Sequence, residues 1–200
     1  MPRASVAELR RAEIVDGAIR LIAREGQAAA TMRALAAELD VSTGTITHWF
    51  ATKEQVLGAT MDALAERFAA RTAAALAGVD DPRDVLVALG DASVPEDPDV
   101  RDEHIVWSEL GARASRTPAL AEQHARLYAG WRRQVERAVE AGVAAGSFRA
   151  VDAAAWARTY TALLDGLALH VVLHPGSQTP ARMRAAIREH VDSTLHGAQR

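Results

Sequence analysis

The chain has 200 residues, 49% of them apolar, with a formal net charge of −3 and no cysteine. That length and apolar share allow a sizeable core, in one compact domain or in a small domain joined to a larger one. The slight acidic excess excludes bulk attraction to nucleic acid or acidic membranes, so such binding must come from a local surface; the lack of cysteine excludes disulfides, thiolate nucleophiles and Cys-ligated zinc.

The first residues, MPRASVAELRRAE, are polar and charged without an apolar signal-peptide core, and no run approaches about eighteen uninterrupted apolar residues. We read a cytoplasmic chain with no membrane partner. Arginine outnumbers lysine 22 to 1, which we take as a sign of a GC-rich genome and not of function. Apolar residues recur at helical spacing nearly throughout, and no stretch alternates strictly with β-branched or aromatic enrichment. The predicted fold class is all-α, with about nine helices.

The first helix spans about Val6 to Glu25, buries Ile14, Ala18, Leu21 and Ile22, and ends at Gly26, placed for a left-handed C-cap. A second starts after Thr31 and sets Met32, Leu35, Ala36 and Leu39 at i, i+3, i+4 and i+7. Asp40 follows where a tight link needs a left-handed residue, a conformation Asp tolerates better than most side chains. The third helix is STGTITHW, capped by Ser42, with Val41 placed to staple against Ile46. Two short helices joined this way form a helix-turn-helix.

On the third helix Ile46, Trp49 and Phe50 can turn inward, while Thr43, Gly44, Thr45, Thr47 and His48 can point out. A recognition helix enters the major groove by its N-terminal end, where a glycine permits close approach and short hydroxyls reach phosphates, base edges or thymine methyls. TKEQ at 52–55 fits a capping box between Thr52 and Gln55 and opens a long fourth helix, Lys53 to about Ala77. A helix N-terminus beside a lysine attracts anions, so Lys53 reads as a phosphate anchor.

The acidic, proline-bearing stretches GVDDP and DASVPEDPD bracket a fifth helix, and further helices follow at roughly 98–114, 118–145, 152–174 and 180–196. Asp81-Pro82, Asp97-Pro98, Thr117-Pro118 and Thr179-Pro180 each pair a capping side chain with a proline at the first helical position, where its missing N–H costs nothing.

The segment TMRALAAELDVSTGTITHWFATKEQVL resembles the DNA-binding head of the TetR family of bacterial transcriptional regulators over roughly residues 8 to 58. The resemblance implies an all-helical homodimer, with a helix-turn-helix domain over 1–52 and an effector-binding and dimerisation domain over 53–200. By position it implies DNA-backbone contacts from Thr31, Ser42, Thr47, Trp49 and Lys53, and groove contacts from Thr43, Gly44, Thr45 and His48. Two positions depart from the family pattern. Thr47 stands where tyrosine is usual, keeping a hydroxyl but losing reach, and Asp40 stands where glycine is usual. The stretch DGLALHVVLHPGSQTPARMRAAIREHVDSTL resembles the body of the betaine-regulator branch, without carrying over its ligand.

The helix at 152–174 is apolar on nearly every side, which points to burial all round. With the helix from 180, the resemblance implies a four-helix dimer interface that we place on Leu164, Leu167, Ala168, Val171, Val172, Met183, Ile187 and Val191. A twofold dimer would set two readers about 34–36 Å apart, one DNA turn, as a pseudo-palindromic operator requires. Phe68, His104, Trp107, His124, Tyr128, Trp131, Trp156 and Tyr160 could line an aromatic effector cavity, with Glu103, Glu109 or Asp165 supplying charge for a cation, although aromatic residues at helical spacing are more often core. The effector itself is unknown. His170 and His174, at i and i+4, read as structural, and we expect no metal and no cofactor. Phosphate-cradling glycine loops, a G-x-S-x-G elbow and HExxH are all missing, so the reading is a regulator and not an enzyme. The alternative is a helical interaction protein without operator binding.

Overall fold

Local capping sets most of the helix boundaries. The computed structural model describes residues 6–196, with side chains from residue 10 onward, and the first five residues of the polar amino terminus lie outside the described residues. Among the described residues there are nine helices and no strand: α1 (Val6–Ala29), α2 (Met32–Glu38), α3 (Thr43–Trp49), α4 (Lys53–Ala75), α5 (Pro82–Asp91), α6 (Pro98–Ala114), α7 (Pro118–Ala144), α8 (Ala153–Leu173) and α9 (Pro180–Leu195). The four X-Pro starts hold: α5, α6, α7 and α9 each begin on the proline. Asp81 accepts the amides of Arg83 and Asp84, and Thr179 accepts that of Arg182. Asp152 adds a fifth cap of this kind on α8 without a proline.

Two local expectations are corrected. Gly26 does take a positive φ of 79°, but its ψ of 159° is extended and not left-handed helical. It breaks α1 in a region open essentially to glycine alone, and one further turn runs on to Ala29. The capping box is also shifted. Gln55 N–H donates to Thr52 Oγ1 at 3.2 Å as expected, but Gln55 Oε1 accepts from Ala51 N–H at 2.8 Å and not from Thr52.

The chain divides into two compact units, one built from the described residues up to Glu66 together with Asp102–Ala125, the other from Arg67–Arg101 together with the described residues from Arg126. This differs from a single cut at residue 52, because α4, α6 and α7 each supply residues to both units. In the first unit α1 packs on α2 and α2 on α3. Ile14, Ala18, Leu21, Ile22, Leu35, Ile46 and Phe50 are all buried. Gly17 lets α1 and α2 meet closely, since a Cβ there would lie 2.8 Å from Leu39 Cδ2.

The second unit has its own core. Leu86, Leu89, Val135, Val139, Tyr160, Leu164, Met183, Ile187 and Val191 form one cluster with Trp156 and Val171. Its two large polar aromatics are fully partnered: Tyr160 OH donates to Leu86 O at 2.8 Å and Trp156 Nε1 to Thr194 Oγ1 at 2.8 Å. His190 joins their stack, and burial lowers its pKa from the ordinary histidine value. A bidentate pair, Arg83 Nε and Nη2 on Asp192 at 2.6 and 2.9 Å, ties α5 to α9.

Candidate nucleic-acid interface

The turn between α2 and α3 is a Schellman motif. Val41 N–H donates to Ala36 O at 2.9 Å and Asp40 N–H to Ala37 O at 3.2 Å. Asp40 sits at φ 51°, the only non-glycine with positive φ among the described residues. An aspartate thus does here what a glycine would do without strain. Ser42 then caps α3, accepting Thr45 N–H at 3.1 Å.

This turn and cap leave most of α3 outside. Thr43, Gly44, Thr47 and His48 are exposed and Thr45 is half-buried, while Ile46 and Phe50 are buried. Trp49, expected inside, is only half-buried, its ring set edge-on to His48 at 5.1 Å. Its indole N–H has no hydrogen-bond partner among the described residues, so it keeps a donor for an outside acceptor.

Hydroxyl bookkeeping separates the predicted anchors. Thr31 Oγ1 accepts Ala34 N–H at 3.1 Å to cap α2, which leaves its own proton free to donate to a phosphate. Ser42 Oγ and Thr45 Oγ1 lie 2.9 Å apart, so one of the two protons is spent between them and one remains. Thr47 Oγ1 donates back to Gly44 O at 3.2 Å. A hydroxyl has one proton, so in this arrangement Thr47 offers an anion nothing.

Lys53 sits at the start of α4 as predicted, but its ammonium is engaged: Nζ donates to Gln27 O at 2.5 Å and Ala28 O at 3.2 Å. Burial first, then the nearby guanidinium of Arg113, lower its pKa from the ordinary lysine value. Two of its three protons serve the chain, and one is left for phosphate. Arg33, which sequence reasoning passed over among so many arginines, is exposed in the first turn of α2 two residues after Thr31, with no partner among the described residues. The available signal was its place at a helix N-terminus on the polar side of an amphipathic turn.

The predicted effector residues fall into separate groups. In the first unit Trp107 stacks on His124 with ring centroids 4.7 Å apart, and burial lowers the His124 pKa; His104 lies one turn from Trp107 and is half-buried. In the second unit Phe68 meets Trp131 edge-on at 4.8 Å, and Tyr128 OH donates to Asp165 Oδ2 at 2.5 Å. Burial raises the pKa of the Asp165 carboxyl despite that bond, although the residue as a whole keeps contact with solvent. An accessible acid crowded by protein is placed to meet a charged small molecule. Trp156 and Tyr160 are core side chains, closed off by their own partners.

The predicted dimer residues also need correction. Leu164, Ala168, Val171, Met183, Ile187 and Val191 are at most 2% exposed within one chain, so they pack their own core. Leu167 and Val172 are half-buried, and the large apolar side chains left outside are Leu169 and Leu173, 40% and 58% exposed. His170 and His174 are exposed with rings 5.5 Å apart. No group of three or more metal-ligating side chains occurs among the described residues, and no described helix is long and apolar enough to cross a membrane.

Comparison with known proteins places these features in one family. Residues 14–60 match the family described as bacterial regulatory proteins, tetR family, and residues 82–196 match the BetI-type transcriptional repressor, C-terminal. The chain is 26% identical over 194 residues to the HTH-type transcriptional regulator PksA of Bacillus subtilis, covering 96% of this chain and 93% of that one. It is 29% identical over 190 residues to the HTH-type transcriptional regulator BetI of Burkholderia cenocepacia, with 94% and 93% covered. Among solved structures, a transcriptional regulator from Saccharomonospora viridis in complex with choline superposes with a TM-score of 0.87 at 27% identity, covering 92% of this chain and 96% of that one. A TetR-family regulator from a Rhodococcus species gives 0.82 at 25%, covering 94% and 98%. With the matched families spanning both the helix-turn-helix and the helical body, the chain belongs to the TetR family of bacterial transcriptional regulators, with a body of the BetI repressor type.

Proposed function

We propose that this regulator is a cytoplasmic repressor that binds a pseudo-palindromic operator as a homodimer and leaves it when a small organic cation occupies the body. The observation that carries the operator reading is α3 itself: a capped helix whose first residues, Thr43 and Gly44, are exposed with Thr45 half-buried, in a head that also carries the unengaged donors of Thr31, Trp49 and Arg33. Phosphate contacts from Thr31, Ser42, Trp49, Lys53 and Arg33 set register, and groove contacts from Thr43, Gly44, Thr45 and His48 read bases.

The dimer reading rests on a stripe of α8, Ala162, Gly166, Leu169 and Leu173, exposed at i, i+4, i+7 and i+11. Ala162 and Gly166 are small enough to admit a close helix approach, and the two exposed leucines gain from being covered. The cation reading rests on Asp165 with Tyr128 and the Phe68–Trp131 pair, and is supported by the choline bound in the Saccharomonospora viridis relative. Arg132 already lies over the Tyr128 ring at 5.4 Å, which leaves Asp165 as the charge an effector would meet. The effector must favour the arrangement that does not bind DNA, because a ligand with equal affinity for both states shifts nothing.

The test is selection of bound duplexes from a random pool, with and without choline. The expected product is a twofold-symmetric consensus with half-sites one turn apart, altered at defined positions by Thr45→Ala or His48→Ala and released by the cation. Indifference to every duplex at low ionic strength would favour a helical interaction protein instead.

A further inference from the structure

The α1–α2 joint aims the reader, and its backbone is held by side chains from two later helices. Gly26 breaks α1 at φ 79°, ψ 159°, and turns the next amide toward α6, where Gln27 N–H donates to Glu109 Oε2 at 3.1 Å. The carbonyls that follow, Gln27 O and Ala28 O, face Lys53 Nζ of α4. An anion on the N–H and a cation on the two C=O groups match the peptide dipoles, and all three bonds are of the stronger, charge-assisted kind. Three residues later Thr31 caps α2.

A second tie lies one turn along α6. Arg113 Nη2 reaches Glu54 Oε1 at 3.4 Å, at the start of α4 just behind α3. Glu109 and Arg113 therefore meet the reader's mount at two places: one holds the joint ahead of α2, and the other makes an exposed, weak pair with the helix that follows α3. The mount is not saturated, since Gln27 Oε1 and Arg113 Nε are buried without hydrogen-bond partners. Buried orphan groups carry a cost.

We infer that Glu109 is a positioning residue for DNA binding: it touches no nucleic acid, but by holding the Gln27 amide it fixes the direction in which α2 and α3 leave α1. This role rests on the operator reading above. It separates Glu109 from Lys53, which shares the joint but also has a proton for phosphate.

The experiment pairs operator affinity, measured against salt on a duplex selected by the wild-type protein, with exchange of the Gln27 amide proton in the full chain. Glu109→Ala should bind about tenfold more weakly, the size expected for losing one charge-assisted bond, with an unchanged salt slope and consensus. Its Gln27 amide should exchange at least about tenfold faster. Glu109→Gln keeps both reach and an acceptor oxygen but makes a neutral bond of roughly half the strength, and should lose only about threefold, whereas Glu109→Asp, charged but one methylene short, should behave like the alanine variant. Unchanged exchange in the alanine and aspartate variants overturns the clamp. Faster exchange with wild-type affinity overturns the positioning role, as does a flattened salt slope, which would mean that Glu109 acts on phosphate contacts. If wild type takes no duplex at all, the operator reading fails first and this role fails with it, while the exchange data still decide whether the clamp exists.

Discussion

Helices α3 and α8 show two opposite uses of a helix in one chain. Of the seven residues of α3 only Ile46 is buried, and the helix is held by capping at its start and by Phe50 just past its end. Across its 21 residues α8 buries Trp156, Ala157, Tyr160, Thr161, Leu164, Ala168 and Val171 against its own chain, and leaves the stripe from Ala162 to Leu173 outside. A reader must spend its surface on a partner, so its stability comes from its ends. A core helix is stable through its sides and can give one face to another molecule. Substitutions at the exposed positions of α3 should therefore change recognition while leaving the fold intact, and those on the inner side of α8 should do the reverse.

The largest effect tests that contrast directly. Leu164 is 1% exposed, and Leu164→Ala should cost about 3 kcal/mol of stability, the usual range for truncating a buried leucine. Thr43→Ala, on the exposed start of α3, should stay within about 0.5 kcal/mol. Urea unfolding of both variants measures the difference; similar losses would mean that α3 is packed and not presented.

The next effect concerns the outer reaches of the body. With the pKa of Asp165 raised by burial, its ionised form is disfavoured in the folded protein, so this group destabilises the unliganded chain as pH rises through the raised pKa. A bound cation would offset that. Choline should accordingly bind more weakly as pH falls through the same window. Asp165→Asn should raise the melting midpoint without ligand and abolish the rise expected from choline in wild type. A choline response that survives in Asp165→Asn would place the cation elsewhere.

A smaller effect sharpens the account of the head. Lys53→Ala should weaken binding to all duplexes about equally, by about tenfold, and flatten the salt slope by about one unit. Because Lys53 also holds Gln27 and Ala28, the amides around the α1–α2 joint should exchange faster in the same variant. A sequence-selective loss would contradict a phosphate role. An unchanged slope with faster exchange would leave Lys53 only its part in the joint.

Signals that act within a few residues are legible in the sequence. Asp81, Asp97, Thr117 and Thr179 each mark a helix start with the proline that follows, and Asp40 takes the left-handed conformation that its position in the turn requires. Signals that depend on distant partners are not. Lys53 looks like a free cation because its carbonyl partners lie some 25 residues upstream, and Glu109 draws attention only as a charge near aromatic rings. Periodicity shows that α8 is apolar on several faces but not which face its own chain covers. It therefore turns Leu164 and Val171 outward, where the structure buries them, and passes over Leu169 and Leu173.

The smallest expected effect bears on the turn that joins the two halves of the reader. Asp40 holds φ 51°, a conformation that costs a side chain roughly 1 kcal/mol. Glycine would remove that strain but would also widen the unfolded ensemble, an opposing term of about 0.4–1 kcal/mol. Asp40→Gly should therefore move stability by less than about 1 kcal/mol. Electrostatics adds no such cancellation: the variant removes an exposed negative charge from the turn that leads into α3, the helix proposed to face DNA. Affinity for every duplex should rise modestly at low salt, and the gain should fade as ionic strength shortens the range of the interaction. If the gain persists at high salt it comes from the backbone and not from charge, and Asp40 is then limiting the angle between α2 and α3. If affinity falls, the aspartate is making a favourable contact with the operator, and the turn belongs to the reading surface and not merely to its support.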